Sequence, residues 1–207
     1  MILCNKLPSC NQAFIGRKDE IKAIASHLSN QSVLFITGMA GIGKSEVAKA
    51  YAQTNRKKYT NIIYLYYTGD LRKDIANLTF ADDSVEMNEE VRFQNHYKVM
   101  QRLHTDTLLI LDNFNVLPKD EPFLKELMKN DMQLLITSRC KLKNYDSIEI
   151  KELDKGKELT ELFYKHCPSA KRDPDSVSAI IEEVNCHTLT VCMAVSYTHL
   201  RAYETSL

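Results

Sequence analysis

Unbroken apolar runs alternate with stretches of helical periodicity along most of this chain. Val33-Leu34-Phe35-Ile36, Ile62-Ile63-Tyr64-Leu65-Tyr66-Tyr67, Leu108-Leu109-Ile110-Leu111 and Leu134-Leu135-Ile136 are β-prone and lack a polar alternate position. Continuous apolarity of this kind predicts strands covered on both faces, as in a parallel sheet. Between them, apolar residues recur at helical spacing: Ile21, Ile24 and Leu28; Val47, Ala50, Tyr51 and Thr54; Phe93, Tyr97, Met100 and His104; Leu124, Leu127 and Met128. Residues 70–78 predict a short helix, 80–87 an acidic loop, and Ile148-Glu149-Ile150 a short edge strand. Asp120-Glu121-Pro122 predicts a helix start, with its acids in the first turn. Alternating strands and helices imply an α/β fold, a mainly parallel sheet in an α/β/α sandwich.

From Asp154 the pattern is helical only. Leu159, Leu162, Phe163 and His166 share one face. Val177, Ile180, Ile181 and Val184 share another, after the start signal Asp173-Pro174-Asp175, and a third helix opens near Leu189, Cys192 and Met193. The expected organisation is a lead-in over 1–13, an α/β domain over 14–152, the start of a small helical subdomain over 153–194, and a tail over 195–207.

The strand ends carry the chemistry. Gly38-Met39-Ala40-Gly41-Ile42-Gly43-Lys44-Ser45 follows the first apolar run and opens a helix. This is the P-loop order of strand, G-x-x-x-x-G-K-[ST] and helix. Its glycines allow positive φ and close approach, so that backbone N–H groups and the positive end of the helix dipole converge on a polyphosphate. Lys44 is expected to reach the β/γ-phosphates and Ser45 to ligate Mg²⁺. The run Leu108–Leu111 ends in Asp112, the placing of a Walker B aspartate that holds Mg²⁺ at the carboxyl end of a buried strand. Thr137-Ser138-Arg139 closes another buried run, and an arginine there can read a γ-phosphate through charge-assisted bonds.

Composition narrows the picture. The 207 residues suffice for one good core and the beginning of a second. Lysine plus arginine and aspartate plus glutamate both total 27, a balance that argues against a large nucleic-acid footprint. The six cysteines form no C-x-x-C pair, which points to reduced thiols in an interior compartment. Met1-Ile2-Leu3-Cys4 is too short for a signal sequence and no apolar run approaches membrane-spanning length, so a cytoplasmic location without membrane partners is expected. His96 and His104, with no accompanying carboxylate–histidine cluster, read as packed or surface residues rather than metal ligands. The tyrosines of 62–67 read as packing residues.

Taken in order, these motifs resemble the NB-ARC domain of STAND-class signalling ATPases, from about Phe14 to Ala194. Phe14-Ile15-Gly16-Arg17 resembles the leading motif that borders the adenine pocket in that family, and Gly38–Ser45 is similar to its G-M-G-G-I-G-K-T loop. Leu108–Asp112 resembles its Walker B strand and Thr137-Ser138-Arg139 its sensor-1 motif. Leu159–Phe163 resembles the opening of its first helical subdomain, and residues 185–194 its C-x-G-L-P-L-A stretch. The resemblance implies ATP or ADP with Mg²⁺ as cofactors. It implies Lys44, Asp112 and Arg139 as catalytic groups and Ser45 and Asp112 as metal ligands. Phe14, Ile15, Arg17, Gly38, Met39, Ala40, Gly41, Ile42, Gly43, Lys44, Ser45 and Glu46 would then line the nucleotide.

Three departures shape the expectation. Asn113 stands where a second acid usually follows the Walker B aspartate, and a neutral amide positions water but cannot take its proton. Thr188 and Thr190 stand where glycine and proline are usual, so the nucleotide contact of that proline is not carried over. The sequence ends before the family's winged-helix domain, and residues 195–205 resemble a translated sequencing adapter with Tyr203 as the mismatch. We therefore expect a fragment of a longer gene.

The function expected is a nucleotide-dependent switch with slow hydrolysis at most, forming nucleotide-dependent homo-oligomers in the full-length protein. An AAA+-type ATPase acting on DNA is the alternative; it would favour an acid at 113, arginine fingers and a basic groove. A metabolic P-loop kinase would need an acceptor site and lid arginines that the sequence does not display.

Overall fold

The computed structural model describes residues 7–193, apart from 82, 85, 141, 155, 156 and 186. The tail 195–207, with Cys186 and Ala194 of the last motif, lies outside the described residues. Five strands, β1 (Val33–Thr37), β2 (Asn61–Tyr66), β3 (Thr107–Asp112), β4 (Gln133–Ser138) and β5 (Ser147–Glu149), form one sheet in the order β2-β3-β4-β1-β5. Every pairing is parallel. The helices are α1 (Lys18–His27), α2 (Lys44–Thr54), α3 (Leu71–Ala76), α4 (Glu89–Met100), α5 (Phe123–Leu127), α6 (Glu158–His166) and α7 (Pro174–Glu183), and residues 188–193 are also helical.

The strand runs are continuous because both faces are covered. Leu34, Ile36, Leu108, Ile110 and Leu135 face α1 and α2, packing with Ile24, Val47 and Tyr51. The alternate residues Phe35, Leu109, Leu111, Leu134 and Ile136 face α3, α4 and α5, packing with Ile75, Phe93 and Leu127. All six residues of β3 and all six of β4 are buried. Such strands cannot slip by one residue without moving side chains from one core into the other.

Side chains cap three of the helix starts. The Asp70 carboxylate accepts from Arg72 N and Lys73 N at the start of α3, Asn88 from Val91 N at α4, and Asp173 from Ser176 N at α7. Each such cap is worth about 0.5–2 kcal/mol.

Details of the expected faces differ. On α2, Thr54 is exposed and Ala48 and Ala52 are buried, because small residues let the helix approach the sheet closely. Helix α4 stops at Met100, leaving His104 outside it and exposed. Asp120 and Glu121 precede α5 rather than form its first turn. Glu121 is instead buried and accepts bonds from Leu71 N (3.1 Å) and the Tyr67 hydroxyl (3.3 Å). Burial and this carboxylate raise the Tyr67 phenol to about 12.

A third core gathers Leu153, Leu159, Leu162, Phe163, Val177, Ile181 and Val191 with Ile15, joining the helical end to the segment before α1. Residues 7–13 carry no helix or strand, yet Leu7 packs against the α1/α2 core and the Asn11 amide donates to Glu46 (2.7 Å).

Candidate nucleotide site

Strand β4 lies between β1 and β3, so the carboxyl ends of three buried strands meet at one edge. The loop after β1 has positive φ at Gly38 (146°), Gly41 (74°) and Gly43 (104°). At Gly38 a Cβ would also lie 2.6 Å from the Ile150 carbonyl oxygen, so only glycine fits. Gly43 immediately precedes α2, and the Lys44 ammonium donates to the carbonyls of Gly38 (2.9 Å) and Met39 (2.7 Å). Burial and then the Arg139 charge hold Lys44 below the usual lysine range, with Asp112 opposing them.

Asp112, 3% exposed, is the hub. Its Oδ1 accepts from the hydroxyls of Ser45 (2.7 Å) and Thr137 (2.5 Å), and its Oδ2 from Tyr64 (2.5 Å). Burial, followed by the bond to Asp112, pushes the Tyr64 phenol far above its ordinary value, so it remains a donor at neutral pH. Tyr64 and Thr137 were not among the expected site residues. Only the register shows why Tyr64 reaches the site: Tyr66 pairs with Asp112 across β2 and β3, so Tyr64, two residues earlier, shares Asp112's face. The Ser45 hydroxyl and Asp112 carboxylate form an all-oxygen donor pair that suits a hard cation such as Mg²⁺.

Asn113 follows at φ 66°. Its N–H donates to Thr137 Oγ1 (2.9 Å), its Nδ2 donates to the Tyr67 carbonyl (3.4 Å), and its Oδ1 accepts from Asn115 Nδ2. Asn115 Oδ1 in turn accepts from Arg139 N (2.9 Å). The exposed Arg139 side chain shares a cavity of about 530 Å³ with Ala40, Gly41, Lys44, Ser45, Asn113, Asn115 and Thr137. No carboxylate is among these lining residues.

A second cavity, about 620 Å³ and largely apolar, adjoins the first across Gly41. Asn11, Ala13, Phe14, Ile15, Arg17, Ile42, Gly43 and Glu46 line one side; Leu153, Leu162, His166, Thr188, Leu189 and Cys192 line the other. Arg17 is buried, with Nη1 on Glu20 (2.9 Å) and Nη2 on the Ile42 carbonyl (3.3 Å), so it braces the phosphate loop from behind. Glu46 accepts from Asn11 N and Lys49 Nζ (2.9 Å). Burial opposes its ionisation, but the Asn11 amide and Lys49 outweigh burial and hold it below the usual carboxylate range. Of the loop residues, Ile42 is buried and Met39 exposed.

His96 is fully buried between the Ile75 carbonyl (2.9 Å) and Asp83 (2.8 Å), against the Phe80 ring. It is a packed residue. Among the described residues no three His, Cys, Asp or Glu side chains converge as a metal cluster, and no helix is long and apolar enough to cross a membrane.

Known proteins place this geometry. The structure is similar to a Walker-type ATPase of Pyrococcus abyssi, at a TM-score of 0.65 and 11% identity, covering 94% of this chain and 70% of that one. It is also similar to AMPPCP-bound DnaA from Aquifex aeolicus, at a TM-score of 0.56 and 17% identity, covering 92% of this chain and 64% of that one. At these identities the likeness establishes the fold, a three-layer α/β/α P-loop ATPase fold. No curated protein matches the sequence. The family model for the AAA domain matches residues 26–143, a span holding the phosphate loop, Asp112 and Arg139 and more than half of the sequence. The chain therefore belongs to the AAA domain family of P-loop ATPases.

Proposed function

We propose that this chain is an ATP/ADP-binding switch module of the STAND/NB-ARC kind, with slow Mg²⁺-dependent hydrolysis at most. One observation carries the reading: a polar cavity built on Lys44, Ser45 and Arg139 adjoins an apolar cavity across Gly41, and the helical end covers the apolar one. A triphosphate suits the first and a flat aromatic base the second. Nucleotide would thus be held between two parts of the chain, and ligand states that differ in the γ-phosphate would differ in what reaches Arg139. Bound Mg²⁺, held by Ser45 and Asp112, would neutralise charge on the β- and γ-phosphates.

Asn113 supports the slow rate. Its side-chain amide is committed to Tyr67 and Asn115, its backbone N–H to Thr137, and no carboxylate is among the described residues lining the cavity to take a proton from water. Turnover below about 1 s⁻¹ is expected in a phosphate-release assay with Mg²⁺ and saturating ATP. Robust turnover abolished by Asn113→Ala would refute it.

A second reading, an ATPase acting on DNA, fits the AAA family match equally. The chain's charge balance speaks against it, as does the presence of one cation, Arg139, among the described residues lining the open groove with Tyr66–Gly69, Asn113, Asn115 and Val116. Stimulation of hydrolysis by added DNA would decide for that reading.

A further inference from the structure

We propose that His187, on the helical end of the chain, is a positioning residue for the phosphate loop: it fixes the Ala40–Gly41 peptide so that Gly41 N–H faces the phosphate cavity. The inference rests on the nucleotide-binding reading above and adds a residue outside the loop to the phosphate cradle.

His187 Nε2 lies 2.8 Å from the Ala40 carbonyl oxygen, a contact between residues 147 positions apart. Its other nitrogen, Nδ1, lies 3.0 Å from Thr190 Oγ1 and 3.4 Å from Thr190 N. The Thr190 amide can only donate, so Nδ1 is an acceptor and the neutral ring carries its proton on Nε2. The Ala40 carbonyl can only accept. Both ends of the ring therefore demand the same tautomer, and Thr190 orients the imidazole that binds the loop.

Gly41 records how closely this segment sits. A Cβ there would meet His187 Cε1 at 2.7 Å and Leu189 Cβ at 2.8 Å. Gly41 is thus required by φ and also by the side chains pressed onto it.

The consequence follows from the peptide plane. In a trans peptide the N–H points opposite to the C=O, and no described bond is cis. With the Ala40 carbonyl drawn toward His187, the Gly41 N–H turns the other way, and Ala40 and Gly41 both line the phosphate cavity with Lys44 and Ser45. An anion on the N–H side polarises the peptide and strengthens its carbonyl as an acceptor. Linkage then requires that phosphate binding and docking of the His187 segment favour each other.

The test compares ADP with adenosine on the whole chain, by calorimetry for ADP and ligand-observed NMR for adenosine. His187→Ala is expected to weaken ADP about tenfold, the equivalent of one hydrogen bond, and adenosine less than about twofold. His187→Gln, whose amide can donate to Ala40, is expected to recover most of the ADP affinity. Thr190→Val, which leaves the ring but removes its hydroxyl partner, should give a smaller ADP loss. Unchanged ADP binding in His187→Ala, or equal losses of ADP and adenosine, would overturn the proposal while leaving nucleotide binding intact. A wild-type chain that binds neither ligand would overturn both.

Discussion

The two halves of the site are built in opposite ways. The phosphate half stands on the ends of β1, β3 and β4, two of them buried along their whole length, and its groups are hydroxyls, a carboxylate and cations. The apolar half is assembled from residues 11–17, the loop and α2 start, and the helical end near 153–192, with no strand beneath most of it. Geometry in the first is imposed by strand register, which both cores enforce. In the second it depends on segments more than a hundred residues apart staying packed. The chemistry of the proposed switch is therefore held rigidly, and its cover is held by a smaller core.

That contrast can be broken at its strongest point first. Lys44→Ala removes the only lysine among the described residues lining the phosphate cavity and should weaken ATP and ADP at least about 100-fold by calorimetry, with melting temperature nearly unchanged. Unaltered affinity would mean that the phosphate half has been assigned to the wrong place.

Phe163→Ala tests the cover. It cuts into the third core and should cost about 3–5 kcal/mol there. Hydrogen exchange should then show faster exchange of residues 158–193 with β3 and β4 unaffected. Equal acceleration in both would show that the two regions open as one unit.

Tyr64→Phe sharpens the comparison within the phosphate half. It removes one of three donors to Asp112 without creating a cavity, at a cost of about 1 kcal/mol, or about 2–4 °C in Tm. The same variant should alter the Mg²⁺ dependence of ADP binding more than binding without metal, because Asp112 loses the bond that fixes its Oδ2. Equal effects with and without Mg²⁺ would reduce Tyr64 to packing.

The smallest effect concerns the Asn11–Glu46 tether. Glu46 has a depressed folded-state value, so the unfolded chain binds its proton first as pH falls. The tether's contribution is full above the ordinary carboxylate range and is lost as pH drops through the folded value. Urea titrations of Glu46→Gln and wild type should differ near neutrality and converge in acid; a constant gap would disprove the linkage.

Much of this was legible in the sequence. The strands of the sheet, the glycine loop and the helical end are written in consecutive residues, as apolar runs, fixed spacings and helical periodicity. The strand order is not, because nothing local says that β4 enters between β1 and β3. Tyr64, Asn115, Glu121 and His187 were missed for the same reason. Each acts on a partner brought near by the fold: Asp112 for Tyr64, Arg139 N for Asn115, Leu71 N for Glu121 and Ala40 O for His187. Glu121 was misread because an acid beside a proline at a helix start already has a sufficient local explanation.

The left-handed backbone at Asn113 limits how this protein could evolve into a faster hydrolase. Asparagine and aspartate tolerate that conformation, whereas glutamate there incurs roughly 1–2 kcal/mol of steric strain. Aspartate would in turn set a carboxylate against the Tyr67 carbonyl that the amide now serves. A carboxylate base at 113 therefore meets one of two costs, main-chain strain for glutamate or a clash of charge with the Tyr67 carbonyl for aspartate, and the relative melting temperatures of Asn113→Asp and Asn113→Glu would measure them.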